Sequence, residues 1–136
     1  MTLNESRKAR GMKAQVHAAD FLRAIFPWVN TVSGAASGRD LKNTPGLAVE
    51  VKARRDFEPL AWLKQSKKNS DDDEMPIVIW QPDGYGPARM KEWPFMGHLG
   101  DFRKLWAELQ ILRGYVQEKD PGFYAKLLGD LGKFDG

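Results

Sequence analysis

Between Ser6 and Phe26 the chain has helical spacing. Gln15, Ala18, Ala19, Leu22, Ile25 and Phe26 share one stripe, and Arg10, Lys13, His17 and Asp20 fall on the opposite face. Pro27 ends this helix. Shorter apolar runs follow. Trp28 to Val32 forms a short strand, Ser33 to Gly38 (SGAASG) is a small-residue loop, and Arg39–Leu41 and Leu47–Arg54 are two strands. The intervening Lys42-Asn43-Thr44-Pro45-Gly46 has turn chemistry. A helix runs from about Pro59 to Asn69, with proline suited to its first turn, and the acidic loop Ser70–Glu74 follows it. Met75 to Trp80, MPIVIW, is apolar throughout and predicts a buried central strand. Gln81–Pro87 is a turn, and Arg89–Phe95 is expected to add an edge strand.

The last third is helical. With Asp101 as N-cap, Phe102, Leu105, Trp106, Leu109, Leu112 and Val116 form an apolar stripe; a final helix begins near Pro121, capped by Asp120. The order is α-β-β-β-α-β, with a possible extra strand and then two helices. It predicts an α/β chain with a mixed sheet covered by helices. Residues 1–95 form the expected core and 96–136 a helical extension that completes the core or builds a dimer.

Composition narrows the chemistry. A chain of 136 residues with 42% hydrophobic and 29% charged residues is expected to fold as one core with its extension. No apolar run reaches membrane-spanning length and no secretory leader is legible, so no membrane partner and a cytoplasmic location are expected. There is no cysteine, and the histidines are His17, on the polar face of the first helix, and His98, between glycines. A bound metal would therefore take oxygen ligands, which favours magnesium or manganese. Residues 1–70 hold 13 Lys and Arg against 6 Asp and Glu; residues 71–136 hold 8 against 12. The basic half suits a polyanion.

That half also contains the residues with the most chemical content. In GRDLKNTPGLAVEVKARR, Asp40 lies upstream of a Pro-Gly turn, and Glu50 and Lys52 sit two apart on the next strand. Both side chains then leave the same face, about 6.6 Å apart. Asp40 and Glu50 offer two carboxylates to a divalent cation, and the Val51 carbonyl offers a third oxygen. Lys52 can orient or deprotonate an attacking water. An ordinary half-solvated strand would also read Ala48-Glu50-Lys52-Arg54 outward and Leu47-Val49-Val51-Ala53 inward. Glu-x-Lys alone does not separate the two.

The wider arrangement resembles the PD-(D/E)XK nuclease superfamily. The resemblance covers about residues 7–82, with Asp40 at the superfamily's aspartate and Glu50-Val51-Lys52 at its E-x-K. Within it, the chain looks most like the small Holliday junction resolvase-like endonucleases of bacteriophages. The resemblance implies a restriction-endonuclease-like sheet and a magnesium-dependent endonuclease acting on four-way or other branched DNA. It also implies a homodimer, located in the host cytoplasm if the chain is phage-encoded. Linear or single-stranded DNA, or DNA binding without cleavage, are the alternatives. Gln15 and Gln65 match polar positions that assist the site. Arg39, Arg54, Arg55, Lys64, Lys67 and Lys68 are candidates for phosphate contacts. Two departures stand out: Arg39 replaces the proline of the superfamily name, and Gln15 replaces a frequent carboxylate. The C-terminal helices lie outside the resemblance.

Overall fold

The structure is a computed structural model that describes residues 3–32 and 38–135. Apart from Gly38, the small-residue loop expected over Ser33–Gly38 lies outside the described residues. The chain forms two compact units, Met1–His98 and Leu99–Gly136.

The first unit is mixed α/β. Its elements are α1 (Leu3–Leu22), β1 (Asn30–Thr31), β2 (Leu41–Lys42), β3 (Leu47–Lys52), α2 (Pro59–Lys68), β4 (Met75–Trp80) and β5 (Phe95–Met96). β3 and β4 pair in parallel from Leu47↔Met75 to Lys52↔Trp80, with α2 as the crossover; β5 pairs antiparallel to β4. β1 and β2 form a separate two-stranded ladder, tied to β3 where the Asp40 N–H donates to the Val49 carbonyl at 3.2 Å. Gly46, at φ +87°, supplies the left-handed step that turns β2 back into β3.

β3 is buried on both faces. Val49 and Val51 pack with Leu41, Ile77 and Ile79 against Ala14, Ala18 and Ala19, whose small side chains let α1 approach the sheet. On the other face Ala48, Val78, Trp62 and Ser66 are buried where α2 lies over β3 and β4. The half-solvated alternation is therefore overturned: Ala48 and Glu50 are 1% and 2% exposed.

Several expected boundaries change. α1 stops at Leu22, four residues before Phe26, because the chain tightens there into turns; Ile25 is 55% exposed and leaves the stripe. The strand expected over 28–32 contracts to Asn30–Thr31. Asp40 precedes β2 instead of lying within a strand, and Arg54 lies beyond β3. The edge strand expected over Arg89–Phe95 is a 3₁₀ helix, Pro87–Glu92, with only Phe95 continuing into β5. Pro87 starts that helix, and Met90 and Trp93, three apart, turn inward together.

The second unit is a helical hairpin, α3 (Leu99–Lys119) and α4 (Pro121–Leu131). α3 begins before Asp101, so that residue lies in the first turn and does not cap it. Asp120 does cap α4, accepting the Phe123 N–H at 3.0 Å. Neither helix contains a buried residue.

Candidate active site

Asp40, Glu50 and Lys52 gather at the C-terminal end of β3. The Asp40 carboxylate accepts the Val51 N–H at 2.7 Å, which fixes it against the strand one residue past Glu50. Glu50 points to the α2 side, where the Asn69 amide donates to its carboxylate at 3.1 Å. The same amide nitrogen donates to the Gly38 carbonyl, so Asn69 ties the end of α2 to the segment leading into Asp40. A Cβ at Gly38 would overlap the Asn69 amide and displace it from this position. Lys52 is half-buried, and its ammonium donates to Gln65 Oε1 at 2.9 Å.

The electrostatics are unusual for a strand carboxylate. Glu50 is pushed up to about 7, first by burial and then by the negative charge of Asp40, with a carboxyl–carboxyl contact adding to the rise. The Asn69 hydrogen bond and the Lys52 charge oppose this but do not cancel it. Ionisation of Glu50 is thus opposed by more than Asn69 and Lys52 return.

Beside the pair opens a cleft of about 850 Å³ between the first half of α1 and the end of β3. Gln15, Asp40, Val51 and Lys52 line it, as do Arg54 and Arg55 from the segment after β3. That segment is pinned to the sheet: the Trp80 indole donates to the Arg54 carbonyl at 3.1 Å, and the Gln81 N–H to the Lys52 carbonyl at 2.7 Å. Phe57 stacks on Trp80 with centroids 4.4 Å apart. Arg7, Lys8 and Arg10 of α1 complete the basic wall.

The expected phosphate contacts divide. Arg54 and Arg55 face the cleft, although Arg55 is also paired with Asp83 at 2.8 Å; Arg10 reaches the same carboxylate at 3.8 Å. Arg39 is half-buried and grips Glu74 through two 2.6 Å hydrogen bonds, with the Asn69 carbonyl at 3.1 Å. It braces the acidic loop against α2, and Glu74 is held below the usual carboxylate range in return. Lys64, Lys67 and Lys68 are exposed on α2 and do not line the cleft. Gln65 is exposed and reaches the site through Lys52, whereas Gln15 lines the cleft itself.

Sequence reasoning missed Asn69 and the Arg7-Lys8-Arg10 wall. The basic run before the small residues of α1 was the available signal for the wall. A helix-ending asparagine carries little signal for Asn69, because the position is common for local capping reasons.

The donor set fits a hard divalent cation. Magnesium commonly takes one or two carboxylates from a protein and leaves other positions to water and phosphate. Asp40 and Glu50 supply two, crowded together; Asp40 lines the cleft, whereas Glu50 is buried on the α2 side and is not among the residues that line it. No group of three or more Asp, Glu, His or Cys side chains suited to a metal occurs among the described residues. Any further protein ligand would be neutral, such as the Val51 carbonyl or Gln15. No helix among the described residues is long and apolar enough to cross a membrane. Comparisons with family models, with curated proteins and with solved structures find no match for this chain.

Proposed function

We propose that this chain is a metal-dependent endodeoxyribonuclease with a restriction-endonuclease-like core, and that branched DNA such as a four-way junction is its substrate. The observation that carries the reading is the convergence of Asp40, Glu50 and Lys52 at one strand end beside a basic cleft. A fold that buries Glu50 to 2% exposure next to a second carboxylate sacrifices stability. Ligand chemistry is a good reason for that sacrifice.

In this reading Asp40 and Glu50 hold magnesium or manganese, with the Val51 carbonyl as a further oxygen. The ion supplies charge neutralisation and a lowered water pKa. The remaining work falls to the chain. Gln65 fixes the Lys52 ammonium at the cleft, where it can donate to the scissile phosphate or orient the attacking water. Arg7, Lys8, Arg10, Arg54 and Arg55 grip flanking phosphates without reading sequence. Asn69 positions Glu50 and so acts through it. A two-fold dimer suits paired cuts across a junction.

The test is cleavage of a labelled four-way junction beside a linear duplex of the same arms, with magnesium and with EDTA. Symmetric paired cuts in the junction alone, abolished by EDTA, are expected. Cutting of both substrates would keep the nuclease and remove the junction preference. Tight, salt-sensitive binding without any cutting would leave a DNA-binding protein.

A further inference from the structure

The α3–α4 hairpin does not look like a finished structure. Phe102, Leu105, Trp106, Leu112, Tyr115 and Phe123 are each 46–62% exposed, and neither helix buries a residue. Units below roughly 40 residues need disulfides, metals or association to hold together, and this chain has no cysteine. Half-exposed aromatic and aliphatic side chains along both helices offer on the order of 800 Å² of apolar surface, the share that each partner gives to a stable interface.

Two observations bear on what covers that surface. The first is charge. Residues 99–136 carry six Lys and Arg against six Asp and Glu, so the hairpin is neutral. It lacks the basic excess that nucleic acid would select, and it does not repel its own copy. The second is spacing. Phe102, Leu105, Leu109, Leu112, Val116 and Lys119 follow a 3-4-3-4-3 seam along α3. That seam is mirrored about the midpoint between Gln110 and Ile111. In an antiparallel pair of α3 helices with a two-fold axis there, Leu105 is level with Val116 of the other copy, Leu109 with Leu112, and Phe102 with the alkyl stem of Lys119. Leu109 and Val116 are already half-covered, while Leu105 and Leu112 stand open.

We propose that α3 docks antiparallel on α3 of a second copy of this chain, with each α4 flanking the pair, to form a four-helix isologous interface. The inference stands on the hairpin alone and does not depend on the nuclease reading.

Sedimentation equilibrium of the full chain should give twice the 15.4 kDa chain mass. Leu105→Glu with Leu112→Glu should weaken association more than about tenfold. Both substitutions also bear on the hairpin's own packing, so cross-linking provides the second test. Because the chain contains no cysteine, Leu112→Cys introduces one thiol near the proposed axis. A short thiol-specific cross-linker should join two copies through it. Phe102→Cys alone should not cross-link, since the two thiols would sit about 26 Å apart along the axis. Phe102→Cys combined with Lys119→Cys should. A single-chain mass at every concentration would overturn the proposal, as would cross-linking through Phe102→Cys alone. Failure of Leu112→Cys to join copies would also overturn it and would point to cover by the chain's own first unit or by another protein.

Discussion

Glu50 and Trp106 invert the usual distribution of side chains. The charged residue is 2% exposed in the first unit, and the large apolar one is 46% exposed in the second. The first unit is built around a sheet covered on both faces, and it spends part of that interior on Glu50, Ser66 and Thr44. Ser66 is satisfied by the Ala48 and Ile77 carbonyls, and Glu50 accepts from the Asn69 amide while lying against the Asp40 carboxyl. Among the described residues, the second unit has no strand and no buried side chain. On the proposed function, the charge that burial and Asp40 oppose at Glu50 is a place for a small cation, and on the proposed interface the open apolar stripe of the second unit is a place for a second copy. Under those two proposals the same diagnostic, a local rule broken within one unit, corresponds to chemistry in the first and to assembly in the second.

The sharpest way to break this comparison is to remove Lys52. Lys52→Ala should lower cleavage by about 10²- to 10⁴-fold, the usual loss of a positioned proton-transfer or charge-stabilising group, while leaving DNA binding within a few fold. Single-turnover cleavage and a binding titration separate the two effects. Wild-type cleavage by the variant would remove the catalytic meaning of the strand-end cluster.

Stability should divide in the same way. Trp62 is 3% exposed and touches the Phe57 and Trp80 rings, so Trp62→Ala should cost about 3–5 kcal/mol in urea unfolding. Trp106→Ala should cost under about 1 kcal/mol at high dilution and more as concentration rises, if its ring is covered only on association. An equal, concentration-independent cost at both tryptophans would give the hairpin an interior of its own.

Much of the first unit was legible because its signals are local. The run from Met75 to Trp80 is a buried strand because no residue in it can face water cheaply. The Pro45-Gly46 pair turns because Gly46 must take a positive φ. The approach of Asp40, Glu50 and Lys52 followed from a period of two and one tight turn. Depth was not legible. Nothing in Ala48-Val49-Glu50-Val51 says that α2 closes over Glu50, since that depends on the parallel crossover bringing Asn69 back to the strand end. Arg39 looked available for phosphate for the same reason: its partner Glu74 is 35 residues away in sequence. The Arg89–Phe95 segment misled because Met90 and Trp93 fit a three-residue turn as well as a strand edge. In the hairpin the stripe was legible and its exposure was not, since a stripe predicts a partner without saying which.

The raised Glu50 gives a pH-dependent contrast between the units. An unfolded glutamate releases its proton near 4.5, whereas folded Glu50 holds it up to about 7. The protonated form therefore stabilises the folded state fully below pH 4.5, and that contribution is lost as pH rises through 7. Without divalent cations, wild-type stability should fall by on the order of 3 kcal/mol across this window relative to Glu50→Gln. Magnesium at pH 8 should restore much of the difference in the wild type and little in the variant. Parallel pH profiles with and without the substitution would mean that Glu50 is not held against its charge.

The smallest expected effect separates the two units by charge. If Arg10 contacts a phosphate across the cleft, Arg10→Ala should reduce the slope of log affinity against log salt by about 1. Arg103→Ala in the neutral hairpin should leave the slope unchanged. Arg10 already shares Asp83 with Arg55, so part of its charge is offset before DNA arrives. Asp83→Asn should then strengthen binding modestly and steepen the slope, because two arginines are released to the polyanion together. If Arg103→Ala lowers the slope as much as Arg10→Ala does, the hairpin also touches DNA. Its exposed aromatic rings would then have a nucleic-acid partner as well as a second copy to account for them.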